Sequence, residues 1–107
     1  MSTAPKSEIL HLAELVEYNE GAVVSRQITK ADAGNVTLFA FDEEQELSEH
    51  TAPFDALVHV LDGEAEISIS GKPYHLKAGN AIIMPANEPH AIRALTRFKM
   101  LLTMIRK

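Results

Sequence analysis

The feature that most constrains this chain is its punctuation. Its five glycines stand singly, and between them run short segments rich in Val, Ile, Leu and Phe. Asp32-Ala33-Gly34-Asn35, Ser70-Gly71 and Ala78-Gly79 are turn signals, and Asp62-Gly63 reads as a two-residue hairpin. Residues 64–70 set Ala65, Ile67 and Ile69 against Glu66, Ser68 and Ser70, the period-two pattern of a half-buried strand. Further strands are predicted over residues 22–29, 36–42, 56–61, 74–76, 81–84, 91–94 and 98–105, with an acidic turn at 42–46. Many short strands at close spacing make a sandwich or a barrel and leave no room for βαβ units.

The first residues follow a different rule. Leu12, Leu15 and Val16 recur at helical spacing opposite Glu14 and Glu17, and Gly21 ends the pattern. Residues 9–18 are therefore expected to form one short helix, or a turn of one. Residues 1–7, with Pro5 and little that packs, are expected to form a loose arm. The expected organisation is an arm and short helix over residues 1–21 and an all-β barrel over residues 22–107.

Composition removes whole classes of function. A chain of 107 residues, 46% hydrophobic, fits one domain with one core. It has no cysteine, which excludes disulfides, thiolate zinc sites, iron–sulfur clusters and a cysteine nucleophile. The net charge of -5 and scattered Lys and Arg argue against nucleic acid. The mild basic cluster of Arg97, Lys99, Arg106 and Lys107 reads as solvated charge. No apolar run approaches the ~20 residues of a membrane span, and the first residues lack a secretory apolar segment, so a cytoplasmic location is expected. Ser25, Ser48, Ser68 and Ser70 lack a nucleophile-elbow motif, and the isolated glycines cannot cradle a phosphate.

Two strands are apolar on both sides. Residues 56–61 carry Ala56, Val58 and Val60 on one face and Leu57, His59 and Leu61 on the other. Residues 98–105 carry Phe98, Met100, Leu102 and Met104 against Leu101 and Ile105. A barrel buries its inner face alone, so the outer face needs a cover. A homodimer would provide it; the alternative is that the N-terminal helix provides it.

Of five histidines, His50 and His90 fall at strand ends, where a barrel mouth lies. His11 is expected at the surface, His75 points away from the side that Tyr74 and Leu76 cover, and His59 shares the second apolar face. The stretch Gly79-Asn80-Ala81-Ile82-Ile83-Met84-Pro85-Ala86-Asn87-Glu88-Pro89-His90 resembles the second motif of the cupin superfamily: a Gly, five residues, a Pro, and a metal-binding His five positions later. Asn87 replaces a frequent Gly, and both residue types tolerate a left-handed backbone. Ala94 replaces the usual closing Asn. Ser48-Glu49-His50 through Asp62-Gly63 resembles the first motif. There Ser48 takes the place of a His, and counting back from Gly63 puts Ala56 at the carboxylate position.

The resemblance covers roughly residues 21–105. It implies a single-domain, cupin-type jelly-roll β-barrel with a short N-terminal helix. It also implies a small-molecule pocket and a divalent transition metal (iron, manganese, nickel or zinc) held by His50 and His90. A third ligand is left open between Glu49, Asp55 and none. The pocket wall would come from Phe39 or Phe41 with Val58, Val60, Tyr74, Leu76, Met100 and Leu102. The implied function is that of an oxygenase or isomerase acting on a small polar metabolite. The alternative is a non-enzymatic metabolite-binding or sensing module with a degenerate metal site.

Overall fold

The computed structural model describes residues 3–106. It contains nine strands: β1 (Val23–Ala31), β2 (Gly34–Phe41), β3 (Glu46–His50), β4 (Asp55–Asp62), β5 (Glu64–Ile69), β6 (Lys72–Lys77), β7 (Ala81–Met84), β8 (His90–Ala94) and β9 (Phe98–Ile105). They form two antiparallel sheets, ordered β1-β2-β9-β4-β7 and β3-β8-β5-β6. Stacked face to face, these are the two halves of a jelly-roll barrel. Among the described residues no helix is long and apolar enough to cross a membrane.

Alternation builds the core. Ala65, Ile67 and Ile69 of β5 are buried, as are Ala56, Val58 and Val60 of β4 and Phe98 and Met100 of β9. Phe41 of β2 pairs with Phe98 in register, and their rings stack with centroids 4.5 Å apart. Burying such a pair contributes several kcal/mol, on the order of 3–5 for each ring lost to Ala.

Three expectations change. Asp62-Gly63 makes no hairpin: β4 pairs with β7 and β9, while β5 pairs with β6 and β8. The chain turns there from one sheet to the other, because a turn signal specifies a bend and not the partner across it. The acidic stretch contains a strand, β3, that the sequence did not reveal. It is exposed at four of its five positions and exists because it pairs with β8, Glu46 opposite Arg93 and Leu47 opposite Ile92. The N-terminal element is the smaller of the two forms expected, a single 3₁₀ turn at Leu12–Glu14. A helix this short cannot repay its nucleation cost.

Side chains hold that N-terminal segment instead. Leu10, Leu12, Leu15, Val16 and Tyr18 pack on Ile28, Leu38, Ala40, Leu61 and Leu101, so the segment covers one half of the outer face of the five-stranded sheet. The Tyr18 hydroxyl donates to Asp62 (2.5 Å), and Lys99 Nζ donates to the Ala13 carbonyl (2.5 Å). Both Lys99 and Arg97 lie over the Tyr18 ring, at 4.9 and 5.6 Å. Burial, and then the Asp62 carboxylate, push the Tyr18 phenol well above its usual range.

Gly63 carries the crossing between sheets. It has φ 76°, and a Cβ there would run into the Arg97 backbone carbonyl; Gly71 has φ 82° but open space around it. Gly71→Ala should cost about 1 kcal/mol, the left-handed penalty alone. Gly63→Ala adds the collision and should cost roughly 3 kcal/mol or more in urea denaturation. Equal losses at the two sites would show that the close approach to Arg97 contributes nothing.

Candidate functional site

His50 and His90 end the ladder between β3 and β8. Leu47 pairs with Ile92, and the next pair is His50 with His90, so Ser48 and Glu49 together oppose Ala91. This is a β-bulge: one extra residue on β3 resets the alternation. Unbulged, the strand would set Leu47 and His50 on opposite faces. The bulge brings His50 onto the inward face with Leu47. It turns Glu49 outward, where it lines a polar groove with Glu46, Ser48, Glu66, Ser68 and Arg93.

The two imidazoles meet at the barrel mouth. Their Nε2 atoms are 3.2 Å apart, and the rings lie edge to face at 70°. Each Nδ1 faces a backbone carbonyl: His50 that of Ser48 (2.8 Å), His90 that of Glu88 (3.2 Å). A carbonyl can only accept, so each Nδ1 carries a proton in these bonds. Both neutral rings therefore present an Nε2 lone pair to the other. Two lone pairs at this distance repel unless a cation, either a proton or a metal ion, lies between them. His90 is 5% exposed. Burial lowers its pKa below the usual histidine value, the charge on His50 lowers it further, and the Glu88 carbonyl opposes both.

The loop before His90 is tied down on both sides. Asn87 takes the left-handed backbone (φ 65°) expected of it, and its N–H donates to the Ala52 carbonyl (2.7 Å). The Ala86 N–H donates to Asp55 Oδ1 (2.8 Å). Ser70 closes the far side, its hydroxyl donating to Glu88 Oε1 (2.9 Å) and its N–H to the Pro89 carbonyl (2.8 Å). Asp55 thus positions the His90 loop and does not join the histidines. With Glu49 turned outward, neither third-ligand candidate reaches the pair. Among the described residues no three His, Asp or Glu side chains gather into one group. The roles of Asp55 and Ser70 had no signal in the sequence, since each depends on a contact with a distant loop.

Around the pair the inward surface is apolar. Ala56 lies between Met84 and Met104 in register, all three facing inward at the mouth end. The expected wall divides by depth. Phe41, Val58, Val60, Leu76 and Met100 are buried and fill the closed part of the barrel, while Phe39, Tyr74 and Leu102 keep partial exposure. The other histidines stand apart. His75 Nε2 lies 2.7 Å from Glu64 on the exposed face, His11 lies beside Glu14, and His59 is half-buried on the outer face of β4.

A small β-barrel with a histidine pair at its mouth is the architecture of a cupin, which supports binding of small molecules. The family model described as a cupin domain matches residues 37–105. The chain belongs to this family. It is similar in structure to a conserved protein of unknown function from Streptococcus pyogenes (TM-score 0.92, 34% identity, covering 100% of this chain and 96% of that one). It is also similar to a cupin superfamily protein from Desulfitobacterium hafniense (TM-score 0.91, 31% identity, covering 99% and 97%). A cupin 2 conserved barrel domain protein from Leptotrichia buccalis is 42% identical (TM-score 0.88); the match covers 91% of this chain and 47% of that longer one. No match was found among curated proteins.

The buried His90 makes stability depend on pH. Its folded-state pKa lies below the unfolded value near 6.5. Its contribution is therefore complete above that value and is lost as pH falls through the lower folded one. The melting temperature should hold steady above about pH 7 and fall on the acid side. The acid slope should be shallower in His90→Gln; an unchanged slope would assign the acid loss to other groups.

Proposed function

We propose that His50 and His90 hold a divalent transition metal at two adjacent coordination positions, and that the barrel mouth presents it to a small polar metabolite. The observation that carries this reading is the pair of Nε2 lone pairs facing each other at 3.2 Å. Metal–imidazole bonds of about 2.0–2.1 Å spanning that separation subtend an angle of roughly 100°. This falls between the octahedral and tetrahedral angles, so the donor set fits iron, manganese, nickel or zinc. The Ser48 and Glu88 carbonyls would fix the tautomer and raise the basicity of both ligands, as outer partners of metal-bound histidines do.

Once bound, such an ion supplies Lewis acidity or, if it is iron or manganese, access to dioxygen. The chain's own groups do the rest. Two protein donors leave most of the coordination sphere to water and ligand. Buried Met84 and half-buried Met104 and Leu102 make the inward surface apolar, which strengthens polar contacts made against it, while His50 stays exposed at the mouth. These features favour an oxygenase or isomerase acting on a small oxygen-rich substrate.

A second reading rests on the same pair holding one shared proton. Glu49 points outward and Asp55 is engaged by Ala86, so the histidines alone can bind an anionic or polar ligand. The protein would then be a metabolite-binding or sensing module.

Elemental analysis of untagged protein purified without chelator separates the two. About one first-row metal per chain, lost in His50→Ala and in His90→Ala, supports the metal reading. No uptake after incubation with iron, manganese, nickel and zinc would remove it, and ligand-induced thermal shifts would then test the sensing module.

A further inference from the structure

The strands sort charge by sign. Among the described residues every acidic side chain on a strand is set outward: Glu46, Asp55, Asp62, Glu64 and Glu66 by register, and Glu49 by the β3 bulge. The charged side chains that register sets inward are both lysines. Lys30 pairs with Asn35, which pairs with inward Met104. Lys72 pairs with buried Ile69, which pairs with His90. Arg106 is the next inward position after Met104, just past the end of β9. Its N–H donates to the Ala33 carbonyl (2.7 Å), and its guanidinium lies over the Phe54 ring, 5.5 Å from the centroid.

All three bases stand at the histidine end of the barrel. β2 ends at Phe41 and β3 begins at Glu46, so the chain reverses and brings His50 to the end where β2 starts, with Lys30 beside it in register. β8 and β9 reverse in the same way, so Arg106 shares an end with His90. Lys72 stands in the histidine row itself, two strands from His90. Lys30 reaches the inward face through a bulge. Gln27 pairs with Thr37 and Thr29 with Val36, so Ile28 is an extra residue, and without it Lys30 would turn outward. The β3 bulge re-aims His50 at the same end. Two strands are thus kinked to supply one opening.

Three like charges around an opening repel, and the chain does not balance them. Among the described residues the ion pairs join other groups, and none involves Lys30, Lys72 or Arg106. Two rim carboxylates are engaged elsewhere, Asp55 by the Ala86 N–H and Glu88 by the Ser70 hydroxyl. The chain carries a net charge of -5, so an inward rim of the minority sign runs against its average. An opening lined by one sign of charge draws in ions of the other.

We propose that the mouth binds a small organic acid carrying two or more carboxylates, one at the histidine pair and the rest on the basic rim. The bases are too widely spread to converge on a single carboxylate: Lys72 alone stands roughly 10 Å from His90 by strand spacing. Aromatic rings hold two of them apart, Lys72 over Tyr74 (5.3 Å) and Arg106 over Phe54. Half-buried Leu102 and Met104 lie inward between, where they suit the carbon chain. The glycines stand singly and form no amide cradle, so carboxylate is favoured over phosphate. The proposal rests on the reading that the mouth receives a small polar ligand; it does not need the metal.

Titration of the full chain, followed through its backbone amide NMR signals, tests it. The probes are malonate, succinate, malate and citrate, with succinamide and inorganic phosphate for comparison, and metal content is measured on the same samples. At least one polycarboxylate should shift the amides of Lys30, Lys72 and His90, while succinamide leaves them in place. Lys30→Met, Lys72→Met and Arg106→Gln change exposed side chains, so each should keep the native circular dichroism and weaken that binding by roughly fivefold or more. Lys77→Met, which removes an outward charge from the same strand as Lys72, should change it less than about twofold. Protein that takes up metal but answers none of the four acids overturns this proposal and leaves the metal reading standing. Binding that persists without metal supports it and counts against the metal reading alone. Phosphate binding as tightly as the acids, or Lys77→Met weakening it as much as the inward variants, also overturns it.

Discussion

The barrel depends on the position of β9. It runs through the middle of the five-stranded sheet, bonded along its length to β2 on one side and β4 on the other. Its inward row carries Phe98 against Phe41 and Met100 beside Val60, all four fully buried. Neither β2 nor β4 has another route to the other, so the sheet exists only once β9 has inserted. Contacts between segments this distant in sequence make closure the slow and cooperative step expected of β-sandwiches. They also give the mouth a rigid back wall, since Leu102 and Met104 continue the same strand toward the histidines.

Sequence legibility follows burial. β5 could be read directly because alternating apolar side chains both form the strand and announce it, and β7 and β9 because their near-continuous apolar runs are bounded by turn signals. β3 could not: four of its five residues are exposed, and only pairing with β8 makes it a strand. The Asp62-Gly63 signal placed a turn correctly and misnamed its partner, because local chemistry fixes curvature while topology decides which sheet the chain enters. The N-terminal segment shows the same division. Its apolar residues pack as their pattern suggested, a single 3₁₀ turn forms within it, and clips from Tyr18, Lys99 and Arg26 hold the rest.

At the candidate site, spacing alone was enough for His90, since the Gly79–Pro85–His90 interval sits in a loop whose shape the proline and Asn87 set. His50 was also legible as a strand-end residue. What could not be read was which neighbour would join it. That outcome rests on the bulge at Ser48 and Glu49 and on the Asp55 contact with the Ala86 amide. Both are tertiary choices with no local signature. Spending Asp55 on the loop gives up a carboxylate donor and gains a fixed approach between two rings whose neutral forms repel.

The bulge has one more consequence, for how this strand is compared with others. The extra residue lies in β3 and not in β8, so the group that faces His90 depends on where the backbone kinks and not on a fixed offset along the chain. Were the kink to form one step later, Glu49 would stand opposite His90 with no letter of the sequence altered. An alignment column that pairs residues by count alone would exchange an imidazole for a carboxylate here. Relatives of this barrel can be matched at the mouth only after the bulge in each has been counted.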